Sequence, residues 1–191
     1  MSRKPATPGP RDADASRRTF FALWPDPPAR DALAARARDT AVVAQGRAPV
    51  AENLHLTLAF LGDVAATRIA TLRAIGLAVA SAVPPFTLTL DRAGAFRGAG
   101  IAWAGASATP PELERLVQLL SGALAKEGFP TERRAFQPHV TLARRCRGPA
   151  SAGIAAPIAW RVKRITLNAS ETLPGGPQYH ELADWRLGPP A

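Results

Sequence analysis

Two of the chain's three histidines stand in nearly the same setting: His55 and Thr57 within "NLHLTLAF" (53–60), and His139 and Thr141 within "QPHVTLAR" (137–144). An imidazole with its ordinary pKa of about 6.5 exchanges a proton close to neutrality, so a pair of them can act as general acid and general base. A hydroxyl donates a hydrogen bond and suits the non-bridging oxygen of a phosphate. If the two segments meet, two imidazoles and two hydroxyls converge, and the chemistry they point to is proton transfer at a phosphate ester. A metal centre fits less well. Two histidines supply only two ligands, Cys146 is not at a ligand-type spacing from them, and no Asp or Glu shares their strand faces. The third histidine, His180, has Leu182 where the pattern needs a threonine and reads as an ordinary edge or loop residue.

Strand geometry explains why these types recur at this spacing. Alternate residues of a strand face opposite sides, so His55, Thr57 and Ala59 share one face while Leu54, Leu56 and Leu58 share the other. In the second segment Val140 and Leu142 take the apolar side and leave His139, Thr141 and Ala143 together. The small residues on the chemical face leave room for a ligand.

The remaining elements must hold these strands. A strand is expected over "RTFFALW" (18–24), followed by a helix over about 27–44 capped by Asp26, with prolines in its first turn. Asp63 is expected to cap a second helix, whose Ile69, Leu72, Ile75 and Val79 recur at three- and four-residue steps. "PFTLTLD" (85–91) and "GIAWAG" (100–105) are expected to pair as a hairpin around a glycine-containing loop. A third helix follows from "TPPELERLVQLLSGALAKEGF", with Leu113, Leu116, Val117, Leu120 and Leu124 on one face and a stop at Gly128. "KRITLNAS" (163–170) and "QYHELADW" (178–185) complete the strands. This is an α+β order in which the two histidine strands occupy comparable places in two halves, and it predicts a duplicated, two-lobed architecture.

Bulk properties bound the rest. A length of 191 residues with 47% apolar content suits one domain with a substantial core. Residues 1–17 have almost nothing to bury and read as a disordered tail ahead of a domain over 18–191. The 24 basic residues, nearly all arginine, against 15 acidic ones give a net charge of +9, which favours anionic partners such as RNA or phosphorylated small molecules. A single cysteine allows no intrachain disulfide, and no 18-residue apolar run or signal-type segment is present, so a cytoplasmic protein without membrane contact is expected.

The paired "HLT" and "HVT" resemble the two His-x-Thr motifs of the 2H phosphoesterases. The surroundings, "TFFALWPDPPAR", "PVAENLHLTLAFLGDV", "FTLTLDRAG", "FQPHVTLAR" and "ITLNASETLPGGPQY", are similar to the bacterial RNA 2',3'-cyclic phosphodiesterases once named 2'-5' RNA ligases. The resemblance implies a pseudo-twofold α+β fold with antiparallel sheets, helices packed outside and a central groove. It further implies cofactor-free, metal-free hydrolysis of an RNA or nucleotide 2',3'-cyclic phosphate to a 2'-phosphate, by a protein expected to be a monomer. His55 is then the acid, His139 the base, and Thr57 and Thr141 hold the phosphate. A phosphate-clamping arginine maps to Arg144, whereas strict alternation from His139 selects Arg145. Phe21, Phe96 and Trp103 are the aromatic candidates for nucleobase contact, with Arg97 beside Phe96; "RRCR" (144–147) and "WRVKR" (160–164) are candidates for a wider RNA surface. Related readings are another cyclic or 2'-5' linked nucleotide substrate, weak 2'-5' joining, or an inactive RNA-binding module.

Overall fold

The protein is described by a computed structural model over residues 16–132, 134–148, 156–173 and 176–189. Its elements run β1 (Ser16–Leu23), α1 (Pro27–Val43), β2 (Leu56–Ala65), α2 (Ile69–Ser81), β3 (Phe86–Leu90), β4 (Arg92–Phe96), β5 (Ile101–Gly105), α3 (Pro111–Lys126), β6 (His139–Arg144), β7 (Ile158–Val162), β8 (Arg164–Leu173) and β9 (Gly176–Arg186). The strand β1 takes in Ser16 and Arg17, and the rest of the expected tail, 1–15, lies outside the described residues.

Seven strands form one sheet in the order β4-β5-β6-β2-β1-β8-β9, and β3 and β7 form a separate pair; all the pairings are antiparallel. The two histidine strands are therefore neighbours at the middle of the sheet. Each is flanked outward by a strand of its own half, β1 beside β2 and β5 beside β6, which gives the two-lobed pseudo-twofold arrangement.

The helices cover the apolar side. Asp26 accepts a hydrogen bond from the Ala29 amide at 3.1 Å and starts α1, whose Ala29, Leu33 and Ala37 are buried. The faces Leu72, Ile75, Val79 of α2 and Leu113, Leu116, Leu120, Leu124 of α3 join the same core as Leu54, Leu56, Leu58, Val140 and Leu142. With Leu54, Leu56, Val140 and Leu142 all at 0–1% exposure, the strand backbones are fixed from below.

Two expectations are corrected. The strand at 86–90 does not pair with that at 101–105; it pairs with β7, while β5 takes as partner the 92–96 segment that had read as loop. Period-2 alternation identifies a strand and says nothing of its partner. Gly94 within β4 is required by packing, because a Cβ there would overlap the Trp103 ring. Asp63 does not cap α2: it sits in β2, paired with Arg18 of β1, and the ladder runs on to Ala65 before a 3-10 turn leads into the helix at Ile69.

Candidate active site

The contact between β2 and β6 is a single antiparallel bridge, Leu56 to Val140, both with no exposure. Counting outward from that pair in antiparallel register sets His55 opposite Thr141 and Thr57 opposite His139. All four polar side chains are half-buried and lie on the face opposite the core. Each imidazole is thus set beside the hydroxyl of the other motif.

Both rings are oriented in the same way. His55 Nδ1 lies 2.8 Å from the Asn53 carbonyl and His139 Nδ1 lies 2.8 Å from the Gln137 carbonyl, two residues back in each case. A carbonyl only accepts, so Nδ1–H donates in both and Nε2 is left as the working nitrogen.

Backbone irregularity places the two candidate arginines differently. Trp103 pairs with Thr141 and Ala102 with Ala143, so Leu142 is an extra residue in β6. Such a bulge shifts the alternation by one. Leu142 and Ala143 are both buried, and Arg144 emerges on the face of His139 and Thr141. Its guanidinium is close enough to lower the pKa of His55. Arg145 is exposed at a left-handed φ of 57° just past the strand. The first motif has the matching bulge: Ala22 pairs with Thr57 and Phe21 with Ala59, leaving Leu58 extra. Phe60 is accordingly the counterpart of Arg144, and it is 49% exposed with the Arg18 guanidinium 4.8 Å from its ring centre.

The surroundings of the two histidines differ. His55 is walled by Phe20, Trp24 and Tyr179, with ring centres at 5.2, 5.0 and 5.1 Å. Burial is the main reason its pKa falls from 6.5 to about 4; the Asn53 carbonyl raises it, and Arg144 and His139 lower it further. The two-imidazole scheme in which both rings titrate near neutrality does not describe this free site. Burial also raises the Tyr179 phenol, against the pull of Arg144 and Arg18. His139 meets Phe96 edge-on at 5.0 Å and Trp103 at 6.3 Å.

The nucleobase candidates fare unequally. Phe21 has no exposed surface and belongs to the core, so it has no face to offer a base. Trp103 is 7% exposed and serves as a wall behind His139. Phe96, half-buried at the end of β4, stays at the site. In "WRVKR", Trp160 is fully buried and residues 160–162 lie in β7 against β3, whereas Arg164 opens β8 and lines a cleft with Trp24 and Tyr179. His180 pairs with Glu171 at 3.7 Å on the outer strand β9.

Sequence reasoning missed Trp24, Tyr179 and Arg18. Nothing in spacing ties Tyr179 to His55, since β9 reaches it through the edge of the sheet and the Asn53 Nδ2 to Pro177 carbonyl bond of 2.8 Å. Phe60 had a signal: it holds the place in the first motif that Arg144 holds in the second. A cleft of about 570 Å³ lined by Trp24, Asn53 and Tyr179 lies beside His55 and includes none of the four motif side chains. Among the described residues no group of three or more His, Cys, Asp or Glu is placed to hold a metal, and no helix is long and apolar enough to cross a membrane.

Two His-x-Thr strands side by side, each imidazole held through Nδ1 by a backbone carbonyl, are the arrangement of a 2H phosphoesterase. The comparisons with known proteins agree. The family model of the 2'-5' RNA ligase superfamily matches residues 24–171, and the chain belongs to that superfamily. An RNA 2',3'-cyclic phosphodiesterase of Escherichia coli is 36% identical over 147 residues, covering 74% of this chain and 80% of the relative. One from Methanothermobacter thermautotrophicus is 30% identical over 185 residues, covering 89% and 98%. The crystal structure of E. coli LigT complexed with 3'-AMP superposes with a TM-score of 0.81 at 32% identity, over 91% of this chain and 99% of that one.

Proposed function

We propose that the chain hydrolyses RNA or nucleotide 2',3'-cyclic phosphates to 2'-phosphates, with His55 and His139 as the proton-transfer pair. The observation that carries this reading is the crossed placement of each imidazole beside the other motif's threonine, with both Nδ1 atoms tied to backbone carbonyls. A tetrahedral diester phosphorus seated there would have a nitrogen at each end of the in-line path from attacking water to leaving O3'. His139 Nε2 takes a proton from the attacking water while its oxygen bonds to phosphorus. The P–O3' bond breaks, and His55 Nε2–H protonates the departing O3'. Thr57 and Thr141 donate to the non-bridging oxygens, and the Arg144 fork complements the phosphate charge.

The depressed pKa of His55 gives this scheme a particular form. The ring is neutral in the free site at neutral pH, protonated on Nδ1 alone, so Nε2 takes up its proton when the substrate anion arrives and offsets the burial of the charge. Substrate binding is coupled to proton uptake. The names of the relatives and the 3'-AMP complex of LigT support a nucleotide substrate. Phe60, with Arg18 on its ring, and Phe96 are the aromatic surfaces available to a base.

The test is incubation, with EDTA present, of the protein with an oligonucleotide ending in a 2',3'-cyclic phosphate and with 2',3'-cyclic mononucleotides. The expected product carries a 2'-phosphate and a free 3'-hydroxyl. No hydrolysis of either substrate, or full hydrolysis by His55→Ala or His139→Ala, overturns the proposal.

A further inference from the structure

Two polar side chains stand on the groove side of β8 with almost no exposure. Thr166 is fully buried and Asn168 is 1% exposed, whereas Ile165 and Leu167 between and beside them point the other way into the core. A buried hydroxyl or amide is tolerated when it is hydrogen-bonded. The Thr166 hydroxyl uses its full capacity: it donates to the Ala22 carbonyl at 3.3 Å, and accepts from Trp24 Nε1 at 2.8 Å and from Asn168 Nδ2 at 2.7 Å. In the ladder between β1 and β8, Thr166 pairs with Ala22 and Asn168 with Phe20. The network is thus attached to the segment of chain that supplies both Phe20 and Trp24 to the wall of His55.

Trp24 is treated differently from two other tryptophans. Trp103 and Trp160 bury their indole Nε1 with no hydrogen-bond partner among the described residues, so a bound indole N–H is not a general requirement of this fold. The Trp24 Nε1 is held by a hydroxyl 142 positions further along the chain. A tryptophan pinned at Nε1 keeps a single rotamer, and this one sets the ring centre 5.0 Å from that of His55 and 6.1 Å from that of Tyr179. The same indole lines the cleft of about 570 Å³, so it stands between His55 and the water of that cleft. The titratable or charged groups that face His55 are His139 and Arg144 of β6 and Tyr179 of β9. Phe20, Trp24, Thr166 and Asn168 are uncharged. A substitution in the β8 pair therefore reaches His55 through the position of Trp24 and not through charge.

We propose that Thr166, oriented by Asn168, is a positioning residue of the active site that latches the Trp24 indole against His55. The proposal rests on the reading of His55 as the proton donor and adds to it a residue that stands behind the ring rather than at the reacting atoms. With the latch closed, the imidazole is screened from the adjoining cleft, and its Nε2 gains a proton together with the substrate anion. With the hydroxyl removed, Trp24 Nε1 and Asn168 Nδ2 lose their shared acceptor, and the penalty of leaving both donors unpaired drives the indole out of place.

The test follows the titration of His55 by NMR in the free protein, beside turnover of a 2',3'-cyclic mononucleotide. Thr166→Val removes the hydroxyl at nearly constant volume; it is expected to move the free His55 pKa from about 4 to about 5 or above and to lower kcat about tenfold with KM nearly unchanged. Thr166→Ser keeps the hydroxyl and is expected to restore both. Thr166→Val added to Trp24→Phe is expected to change neither quantity further, because the phenyl ring has no N–H to hold. A Thr166→Val protein whose His55 titrates as in wild type, a Thr166→Ser protein shifted as far as Thr166→Val, or effects that add in full to those of Trp24→Phe overturn the latch. Should Thr166→Val not fold, Asn168→Leu decides: the hydroxyl loses its orienting donor, His55 is expected to move in the same direction, and an unmoved His55 overturns the latch. The titration needs no substrate, so it judges the latch even where wild type hydrolyses no cyclic phosphate, an outcome that defeats the phosphodiesterase reading instead.

Discussion

The proton on His55 is the most exposed point of the proposed mechanism. Its pKa in the free protein is lowered to about 4, chiefly because Phe20, Trp24 and Tyr179 take the ring out of water. Relative to the ordinary value of 6.5, protonating the ring costs about 3 kcal/mol, and at pH 7 roughly one molecule in a thousand carries the proton. A single negative charge about 4 Å away at an effective dielectric near 20 returns about 4 kcal/mol, or about three pKa units. A bound phosphate is therefore sufficient to bring His55 back to the neutral range. The measurement is an NMR titration of labelled imidazoles, assigned with single His→Gln variants, in the free protein and saturated with a 2'-phosphorylated nucleotide. His55 is expected to titrate near 4 when free and near 7 when bound. Tyr179→Ala, which opens one wall of the ring, is expected to raise the free value toward 6.5. A free His55 that titrates near 6.5, or a value that does not move when the nucleotide binds, refutes the reasoning.

Four further outcomes follow from the same structure. The folded state disfavours the protonated His55, so its contribution to stability is complete above about pH 6.5 and is lost as the pH falls toward 4, by up to about 3 kcal/mol; chemical denaturation across that window reads it, and a His55→Gln variant should show a flatter profile. His55→Ala and His139→Ala should each lower turnover by about 10²–10⁴ without moving Tm by more than a few degrees, as a stopped assay and a thermal melt will show. Arg144→Lys keeps the charge and loses the fork, so activity on the cyclic mononucleotide should fall about tenfold or more while Arg145→Lys stays near wild type; the reverse order would place the clamp at Arg145. Gly94→Ala forces a methyl into the Trp103 ring and should cost about 1–3 kcal/mol in unfolding free energy, with a loss of turnover because Trp103 backs His139.

Much of this was legible in the residues. His55, Thr57, His139 and Thr141 announced a shared face because alternation is a local property, and Leu56 and Val140 announced the core beneath them for the same reason. What alternation hides is any residue that breaks it. Leu58 and Leu142 are ordinary leucines with no glycine or proline to mark a bulge, yet the register shifts at them bring Phe60 and Arg144 to the side of the motif histidines. Partner choice was hidden too: β3 alternates cleanly whether it pairs with β5 or with β7, and only the tertiary packing of Trp160 and α1 selects the latter. Asp63 is a good cap in isolation, and the pairing of β2 with β1 outweighed it. Tyr179 lay beyond any local pattern, because its relation to His55 is created by sheet order alone.

The crossed register at the Leu56–Val140 bridge also bears on how such a site is inherited. Neither half of the chain contains a complete working pair, since each imidazole is completed by a hydroxyl encoded more than eighty residues away. Half of the chain, standing alone, would have to borrow its threonine from a second copy.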